Sequence, residues 1–131
     1  MALERKYGSP VPFYIMTSQS NDGETKEFFD RYGYFGLRRD QVKFFTQGMW
    51  PALSADGKIL LSRKDSLFMS PDGHGGVLSA LRASGMLEDM EARGLTLLFY
   101  FQVDNPLVEI ADPVFLGLHQ AYGAQMAVKV C

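Results

Sequence analysis

Residues 71–76, Pro-Asp-Gly-His-Gly-Gly, limit what this chain can fold into more than any other segment, because three of the six are glycines. Glycine lacks the Cβ atom that keeps a backbone away from a ligand, and it permits the positive φ of a sharp turn. Val77, Leu78 and Leu81 follow at the spacing of one helical face. The sequence therefore predicts a loop that becomes the N-terminus of a helix, where unpaired N–H groups favour a phosphate or a polar base edge.

An ordinary turn is the competing interpretation of residues 71–76, because Pro-Asp-Gly is a common turn signal. The segment lacks the lysine and hydroxyl residue of the phosphate-binding P-loop, and its glycines do not have the spacing of the dinucleotide fingerprint. The local sequence leaves both a ligand-binding loop and a simple turn open.

The size and charge of the chain narrow its class. Its 131 residues suit a single domain, 1–131. The net charge of −2 provides no basic field, so a nucleic-acid partner is disfavoured. The only cysteine is Cys131, which predicts a reducing, cytoplasmic setting. No apolar run is long enough to span a bilayer, and the first residues do not form a signal peptide, so we expect no membrane association.

Strand and helix patterns alternate along the chain. Strands are predicted at residues 11–16, 42–46, 66–70, 95–103 and 125–130. Helices are predicted at residues 24–32, 77–84 and 86–93 and from Pro113 onward. A hairpin is predicted around Asp56-Gly57. The alternation favours an α/β fold with a mostly parallel sheet flanked by helices. Residues 95–103 are nearly continuously apolar, which is typical of a central strand.

Asp104 directly follows this longest apolar run. Ligands of open α/β sheets bind beyond the carboxyl ends of the strands. A carboxylate there can hold Mg²⁺, which completes its shell with waters and substrate phosphates. The alternative is that Asp104 only caps the turn that it makes with Asn105 and Pro106.

Six short motifs follow one another along the chain. They are Tyr14-Ile15-Met16-Thr17-Ser18, Arg63-Lys64-Asp65, Pro71-Asp72-Gly73-His74-Gly75-Gly76, Leu87-Glu88-Asp89-Met90-Glu91, Val103-Asp104-Asn105 and Ala111-Asp112-Pro113-Val114-Phe115. In this order, and over about residues 12–130, they resemble the UDP-N-acetylhexosamine pyrophosphorylases. The resemblance is to the central part of that family's catalytic domain, and it implies an incomplete Rossmann-like, GT-A-like nucleotide-diphospho-sugar transferase fold.

The resemblance implies an activity and a set of site residues. The activity is uridylyl transfer from UTP to N-acetylglucosamine 1-phosphate, which gives UDP-N-acetylglucosamine and pyrophosphate and uses Mg²⁺. By position, Gln47 matches the family's uridine-contacting glutamine and Gly73 matches the glycine whose backbone lies against the uracil. Asp104 matches the aspartate that contacts the metal and the nucleotide.

His74 bears on the choice of sugar. It stands where many eukaryotic members of the family have an asparagine that contacts the sugar nucleotide. The related UDP-glucose and broad UDP-sugar pyrophosphorylases have a histidine there, so one of these activities is an alternative.

One departure from the family pattern concerns the nucleotide loop. The family's glycine-rich loop, with its arginine and a following catalytic lysine, should precede the first strand, and residues 1–10 do not supply it. We therefore expect a fragment that is inactive alone and needs the remainder of the enzyme as its partner. The alternative is a non-catalytic module that binds uridine nucleotides.

Overall fold

The computed structural model describes residues 2–130, so Cys131 lies outside the described residues. The chain divides into two compact units, Met1–Gly94 and Leu95–Cys131. The single domain expected for residues 1–131 stays a prediction.

A parallel pair of strands organises the first unit. Helix α1 (Ala2–Tyr7) is followed by strand β1 (Phe13–Thr17), helix α2 (Asp22–Arg31) and strand β2 (Val42–Thr46). Strands β1 and β2 are parallel, with every residue of one opposite a residue of the other. After α2, Gly33 adopts a φ of +55°, a conformation that glycine takes without strain. The predicted strand, helix, strand unit is confirmed.

Two short helices pack on this parallel pair. Helix α3 (Val77–Ala83) and helix α4 (Met86–Ala92) are separated by Gly85, whose φ is +72°, and Gly94 follows with a φ of +67°. Both helices and their glycine stops match the prediction. The buried apolar side chains of β2, α3 and α4 form the core: Val42, Phe45, Ala80, Leu81 and Met90.

An antiparallel insertion separates β2 from α3. Its strands are β3 (Met49–Pro51), β4 (Leu61–Arg63), β5 (Ser66–Leu67) and β6 (Met69–Pro71). Strand β3 pairs with β6 and β4 pairs with β5, both in antiparallel fashion. The predicted hairpin turn is confirmed, because Gly57 has a φ of +83° and the Ser54 N–H donates to the Lys58 carbonyl. The single strand predicted at residues 66–70 is divided in two at Phe68.

The second unit differs most from expectation. The central strand predicted at residues 95–103 is wrong, because the described chain has no strand pairing there. The side chains of residues 95–102 alternate between half-buried and exposed. Leu98 and Tyr100 are both more than half exposed. An apolar sequence becomes a strand only when a neighbour completes its backbone hydrogen bonds. The strand predicted at residues 125–130 is wrong for the same reason.

Helix α5 (Pro113–Ala121) confirms the last predicted helix. The Asp112 carboxylate accepts a hydrogen bond from the Val114 N–H at 3.0 Å, as expected of an N-cap, and Pro113 occupies the first turn. The Phe115 ring of this helix packs edge-on against Phe99. Within residues 2–130, no helix has the length and apolar character needed to cross a membrane.

Candidate functional site

Gln47 joins the parallel strands to the glycine loop. It directly follows β2, and its backbone N–H donates to the carbonyl of Thr17, the last residue of β1, at 2.8 Å. Its side-chain Oε1 accepts a hydrogen bond from the Gly73 N–H at 2.9 Å. Gln47 and Gly73, which the resemblance placed at the nucleotide, therefore lie together beyond the carboxyl ends of β1 and β2, where ligands of α/β folds bind.

The backbone of Gly73 offers an open face. Its φ of +65° favours glycine, and a Cβ atom built there would meet no atom within 4 Å. A flat ring can therefore approach this backbone directly. The Gly73 N–H can only donate, which fixes the Gln47 amide with its oxygen toward Gly73 and leaves Nε2 as a donor for a ligand.

Asp72 decides what kind of group this loop can accept. The loop is a 3₁₀ turn (Gly73–Gly76) that runs directly into α3, and Asp72 precedes it. The sequence left open either a phosphate or a base edge at this helix start. A carboxylate at the start of the turn repels a second anion at close range, and this favours a neutral base edge over a phosphate.

His74 follows Gly73 within the same turn and is exposed. It therefore lies directly after Gly73, one of the two predicted base-binding residues. Its predicted contact with the sugar nucleotide stays a prediction.

Asp104 lies in an exposed turn of the second unit. The Leu107 N–H donates to the Asn105 Oδ1 at 3.2 Å, so the neighbouring asparagine caps this turn. Within residues 2–130, no hydrogen bond or ion pair engages the Asp104 carboxylate. The alternative that Asp104 serves as the turn's cap is therefore wrong.

The donor set at Asp104 limits the kind of metal site it can form. The described residues contain no group of three or more histidine, cysteine, aspartate or glutamate side chains that could hold a metal ion. A closed, all-protein site is therefore not formed by residues 2–130. A single free carboxylate does fit Mg²⁺, which takes one or two protein carboxylates and completes its shell with substrate phosphates and water.

A hydrogen-bonded brace ties β1 to α4. The Tyr14 hydroxyl donates to Asp89 Oδ2 at 2.6 Å, and Arg93 Nε donates to the same oxygen at 2.8 Å. The Arg93 guanidinium also donates to the Asp40 carbonyl at 3.1 Å. Burial and the bond to Asp89 raise the pKa of Tyr14 to about 12. The bonds from Tyr14 and Arg93 lower the pKa of Asp89.

Sequence reasoning assigned no role to Tyr14 or Asp89. Both belong to the six motifs, at residues 14–18 and 87–91, and that shared membership was the signal available. Their partnership spans 75 positions of sequence, so only the fold could show it. The brace holds in place the helix pair that the glycine loop leads into.

Thr17 and Asp22 hold the loop between β1 and α2. The buried Thr17 hydroxyl donates to Asp22 Oδ1 at 2.7 Å, and Lys26 donates to Asp22 Oδ2 at 2.6 Å. The bond from Lys26, followed by that from Thr17, lowers the pKa of Asp22. Thr17, the last residue of β1, therefore bonds to Gln47 through its carbonyl and to Asp22 through its hydroxyl.

The sequence model of the family described as UTP–glucose-1-phosphate uridylyltransferase matches residues 1–131. The chain is 48% identical over 120 residues to UDP-N-acetylhexosamine pyrophosphorylase-like protein 1 of Xenopus tropicalis. It is 46% identical over 120 residues to UDP-N-acetylglucosamine diphosphorylase 1 of Arabidopsis thaliana. Each alignment covers 92% of this chain and 24% of the relative, so the chain spans about a quarter of the length of these relatives.

Two solved structures resemble the fold. A crystal structure assigned as a UDP-N-acetylglucosamine pyrophosphorylase from Entamoeba histolytica has a TM-score of 0.58 and 40% identity, and covers 63% of this chain and 21% of that one. The uridine diphosphate N-acetylglucosamine pyrophosphorylase of Trypanosoma brucei, in complex with an inhibitor, has a TM-score of 0.51 and 38% identity, and covers 61% and 16%. These similarities confirm the resemblance drawn from the six motifs and the predicted α/β fold.

Proposed function

The chain belongs to the UTP–glucose-1-phosphate uridylyltransferase family, and we propose that it forms the uridine-binding part of an enzyme that transfers UMP from UTP to N-acetylglucosamine 1-phosphate. The products are UDP-N-acetylglucosamine and pyrophosphate. The choice of an N-acetylated amino sugar rests on the relatives, whose names specify UDP-N-acetylhexosamine or UDP-N-acetylglucosamine.

The bond between Gln47 and Gly73 carries this proposal. The Gln47 oxygen is already engaged by the Gly73 N–H, so the amide presents its Nε2 hydrogens to a ligand. A uracil carbonyl accepts such a hydrogen bond. The exocyclic amino group at the corresponding position of cytosine cannot accept it. The geometry therefore supports uracil over cytosine, with the ring lying on the open face of Gly73.

The proposed reaction needs positioning and charge neutralisation more than proton transfer. A sugar phosphate is already ionised near neutral pH, so its oxygen can attack the α-phosphate of UTP without a general base. The barrier then falls through in-line placement of the two substrates and through stabilisation of the charge that develops. In this division of labour, Gln47 and Gly73 fix the uridine end of UTP.

Asp104 is the residue of this chain that we assign to Mg²⁺. Bound Mg²⁺ supplies positive charge to the phosphates during transfer. The free carboxylate of Asp104 fits this role, since nothing within residues 2–130 competes for it. We assign His74 to the sugar side, next to the base-binding glycine. A cytoplasmic location stays a prediction from the single cysteine.

A chimera tests the proposed function. This chain replaces the matching segment of the Arabidopsis thaliana diphosphorylase, and pyrophosphate release from N-acetylglucosamine 1-phosphate is measured with UTP, CTP and ATP. We expect turnover with UTP and little with the other two nucleotides. Equal use of CTP would contradict the role of the Gln47 amide, and no turnover with any nucleotide would contradict the enzyme assignment.

Calorimetry on this chain alone provides a separate check. Tight, uridine-selective binding by the isolated chain would support a free-standing binding module instead of an enzyme part. The matched control is the chain with Gln47→Leu, which removes the amide but keeps a side chain of similar size. Under the proposal, the native chain binds UTP weakly or not at all when alone.

A further inference from the structure

The side chain of Asp72 fills the space that side chains at two other positions would need. A Cβ atom built on Gly48 would lie 2.5 Å from Asp72 Oδ2. A Cβ atom built on Gly76 would overlap all three carboxylate atoms. Gly76 has a φ of −84°, which any residue can adopt, so its backbone does not demand glycine. The requirement for glycine at Gly76 therefore comes from the Asp72 side chain.

Hydrogen bonds within the described residues do not account for the position of the buried oxygen of the Asp72 carboxylate. Its Oδ1 is buried and has no hydrogen-bond partner within the described residues. An unpaired buried carboxylate oxygen is unfavourable, so its presence calls for a reason other than bond formation. The reason that the geometry offers is steric, because the carboxylate is wedged between two backbones that approach it without side chains.

The Asp72 side chain, which we call the wedge, lies where the glycine loop meets the segment that follows β2. The Asp72 N–H donates to the Gly48 carbonyl at 3.0 Å, and the next N–H, that of Gly73, donates to Gln47. Two consecutive residues of the glycine loop thus bond to two consecutive residues after β2. Asp72 is the side chain that packs across this junction and also reaches the start of α3 at Gly76.

We propose that Asp72 is a positioning residue for the uridine nucleotide, and that it acts by shape. Wedged between Gly48 and Gly76, it sets the angle of the loop so that the Gly73 N–H meets Gln47 Oε1 and the Gln47 Nε2 is left for the base. The inference rests on the proposed uridine site. It assigns to Asp72, Gly48 and Gly76 a joint role that neither the sequence nor the family similarity specifies.

A thermal-melting cycle on this chain tests the wedge. Gly76→Ala should lower the melting temperature, because the new methyl group overlaps the carboxylate. In an Asp72→Ala background the space is free, and Gly76→Ala should then raise the melting temperature, since alanine suits a helical backbone better than glycine. The same loss in both backgrounds, or no loss in the native background, would overturn the proposal.

Gly75→Ala is the matched control for this cycle. A Cβ atom at Gly75 would meet nothing within 4 Å, and its φ is not positive. Gly75→Ala should therefore change the melting temperature equally in the native and Asp72→Ala backgrounds. A dependence on Asp72 at Gly75 as large as that at Gly76 would also overturn the wedge.

Kinetics of the chimera test the link to the nucleotide. Asp72→Ala should raise the UTP KM by about tenfold, the effect of displacing one hydrogen-bonding pair, and leave the KM for the sugar phosphate unchanged. Asp72→Asn keeps the shape and should restore the UTP KM. Failure of Asp72→Asn to restore it, or an equal rise of both KM values, would overturn the positioning role.

The two failures can be told apart. If the unsubstituted chimera does not use UTP, the proposed function is wrong, whereas the melting cycle still decides whether Asp72 acts as a wedge. If the chimera uses UTP but Asp72→Ala leaves its KM unchanged, the proposed function stands and the positioning role does not.

Discussion

The glycine loop and the Asp104 turn both hold residues assigned to the nucleotide, yet they are built in opposite ways. In the loop, the Gly73 N–H bonds to the Gln47 side chain and the Asp72 N–H bonds to the Gly48 carbonyl. Strand β6, which directly precedes Asp72, pairs with β3. In the turn, only Asn105 makes a cap, and the Asp104 carboxylate makes no bond within residues 2–130. Hydrogen bonds within the protein already position Gln47 and Gly73, which are assigned to the neutral base. Asp104, which is assigned to Mg²⁺, keeps its carboxylate available.

The largest expected effect comes from removing the negative charge of Asp104. In the chimera, Asp104→Asn should lower turnover by about 10³-fold, because metal charge stabilisation is worth several kcal/mol. The melting temperature should stay nearly unchanged, since the lost charge has no partner in the described chain. Turnover by pyrophosphate release and melting by circular dichroism are measured on the same samples.

Asn105→Ala is the control for this prediction. It removes the cap on the Leu107 N–H and should affect folding more than turnover. A lowered melting temperature with near-normal turnover for Asp104→Asn would show that the charge has only a structural role.

The two units should also differ in how much stability their side chains contribute. Phe45 of β2 is only 5% exposed, and Phe45→Ala should reduce the free energy of unfolding by about 3–4 kcal/mol through a core cavity. Leu98 of the second unit is 54% exposed, so Leu98→Ala should change it by only about 0.5 kcal/mol. Urea denaturation of the chain measures both. Equal losses would mean that Leu98 is more enclosed than the structure shows.

Two substitutions of Gln47 separate its bond to the Gly73 N–H from its proposed bond to the base. Gln47→Met removes both, and should raise the UTP KM and lower the melting temperature, because the Gly73 N–H loses a bond worth about 1 kcal/mol. Gln47→Glu keeps the acceptor for Gly73 and replaces the donor to the base with a negatively charged acceptor. It should raise the UTP KM while the melting temperature changes little. An unchanged UTP KM in both variants would remove Gln47 from the nucleotide site.

The Tyr14–Asp89 brace predicts how the stability of the first unit depends on pH. The raised pKa of Tyr14 means that its contribution is complete below about pH 10, the usual tyrosine value, and is lost as the pH rises through about 12. The lowered pKa of Asp89 means that its contribution is complete above about pH 4 and is lost as the pH falls through the lowered value.

Melting of the native chain and of Tyr14→Phe across this range checks the brace. Tyr14→Phe should remove the alkaline loss that belongs to Tyr14 and shorten the acid range over which Asp89 stabilises the fold. Identical pH profiles for the two proteins would mean that the hydroxyl does not bond to Asp89 in solution.

The smallest expected effect concerns the choice of sugar. In the chimera, His74→Asn should change the ratio of turnover on N-acetylglucosamine 1-phosphate to turnover on glucose 1-phosphate more than it changes the UTP KM. An imidazole and an amide both form hydrogen bonds but differ in reach, which makes a change in preference of about threefold to tenfold reasonable. A change confined to the UTP KM would move His74 from the sugar to the nucleotide side.

Local sequence signals determined most elements of the first unit. The bounds of β2 were predicted to the residue, and α3 and α4 end two residues before Gly85 and Gly94, because positive φ is a local property of the chain. Asp112 and Pro113 marked the start of α5 for the same reason, since a cap and a first-turn proline act within a few residues. The family resemblance assigned Gln47 and Gly73 to the nucleotide, but no local pattern could show that they bond to each other across 26 positions.

Tertiary structure alone decided whether an apolar run became a strand and why the glycines stand where they do. Residues 42–46 and 95–103 are both apolar and β-favouring, yet among the described residues only the first segment has a neighbouring strand to complete its hydrogen bonds, because pairing depends on distant residues. Gly76 resembles any loop glycine in the sequence, whereas in the fold its missing Cβ makes room for Asp72. The order of residues determines backbone preferences, and the contacts between distant segments determine which backbones can approach closely enough to build a site.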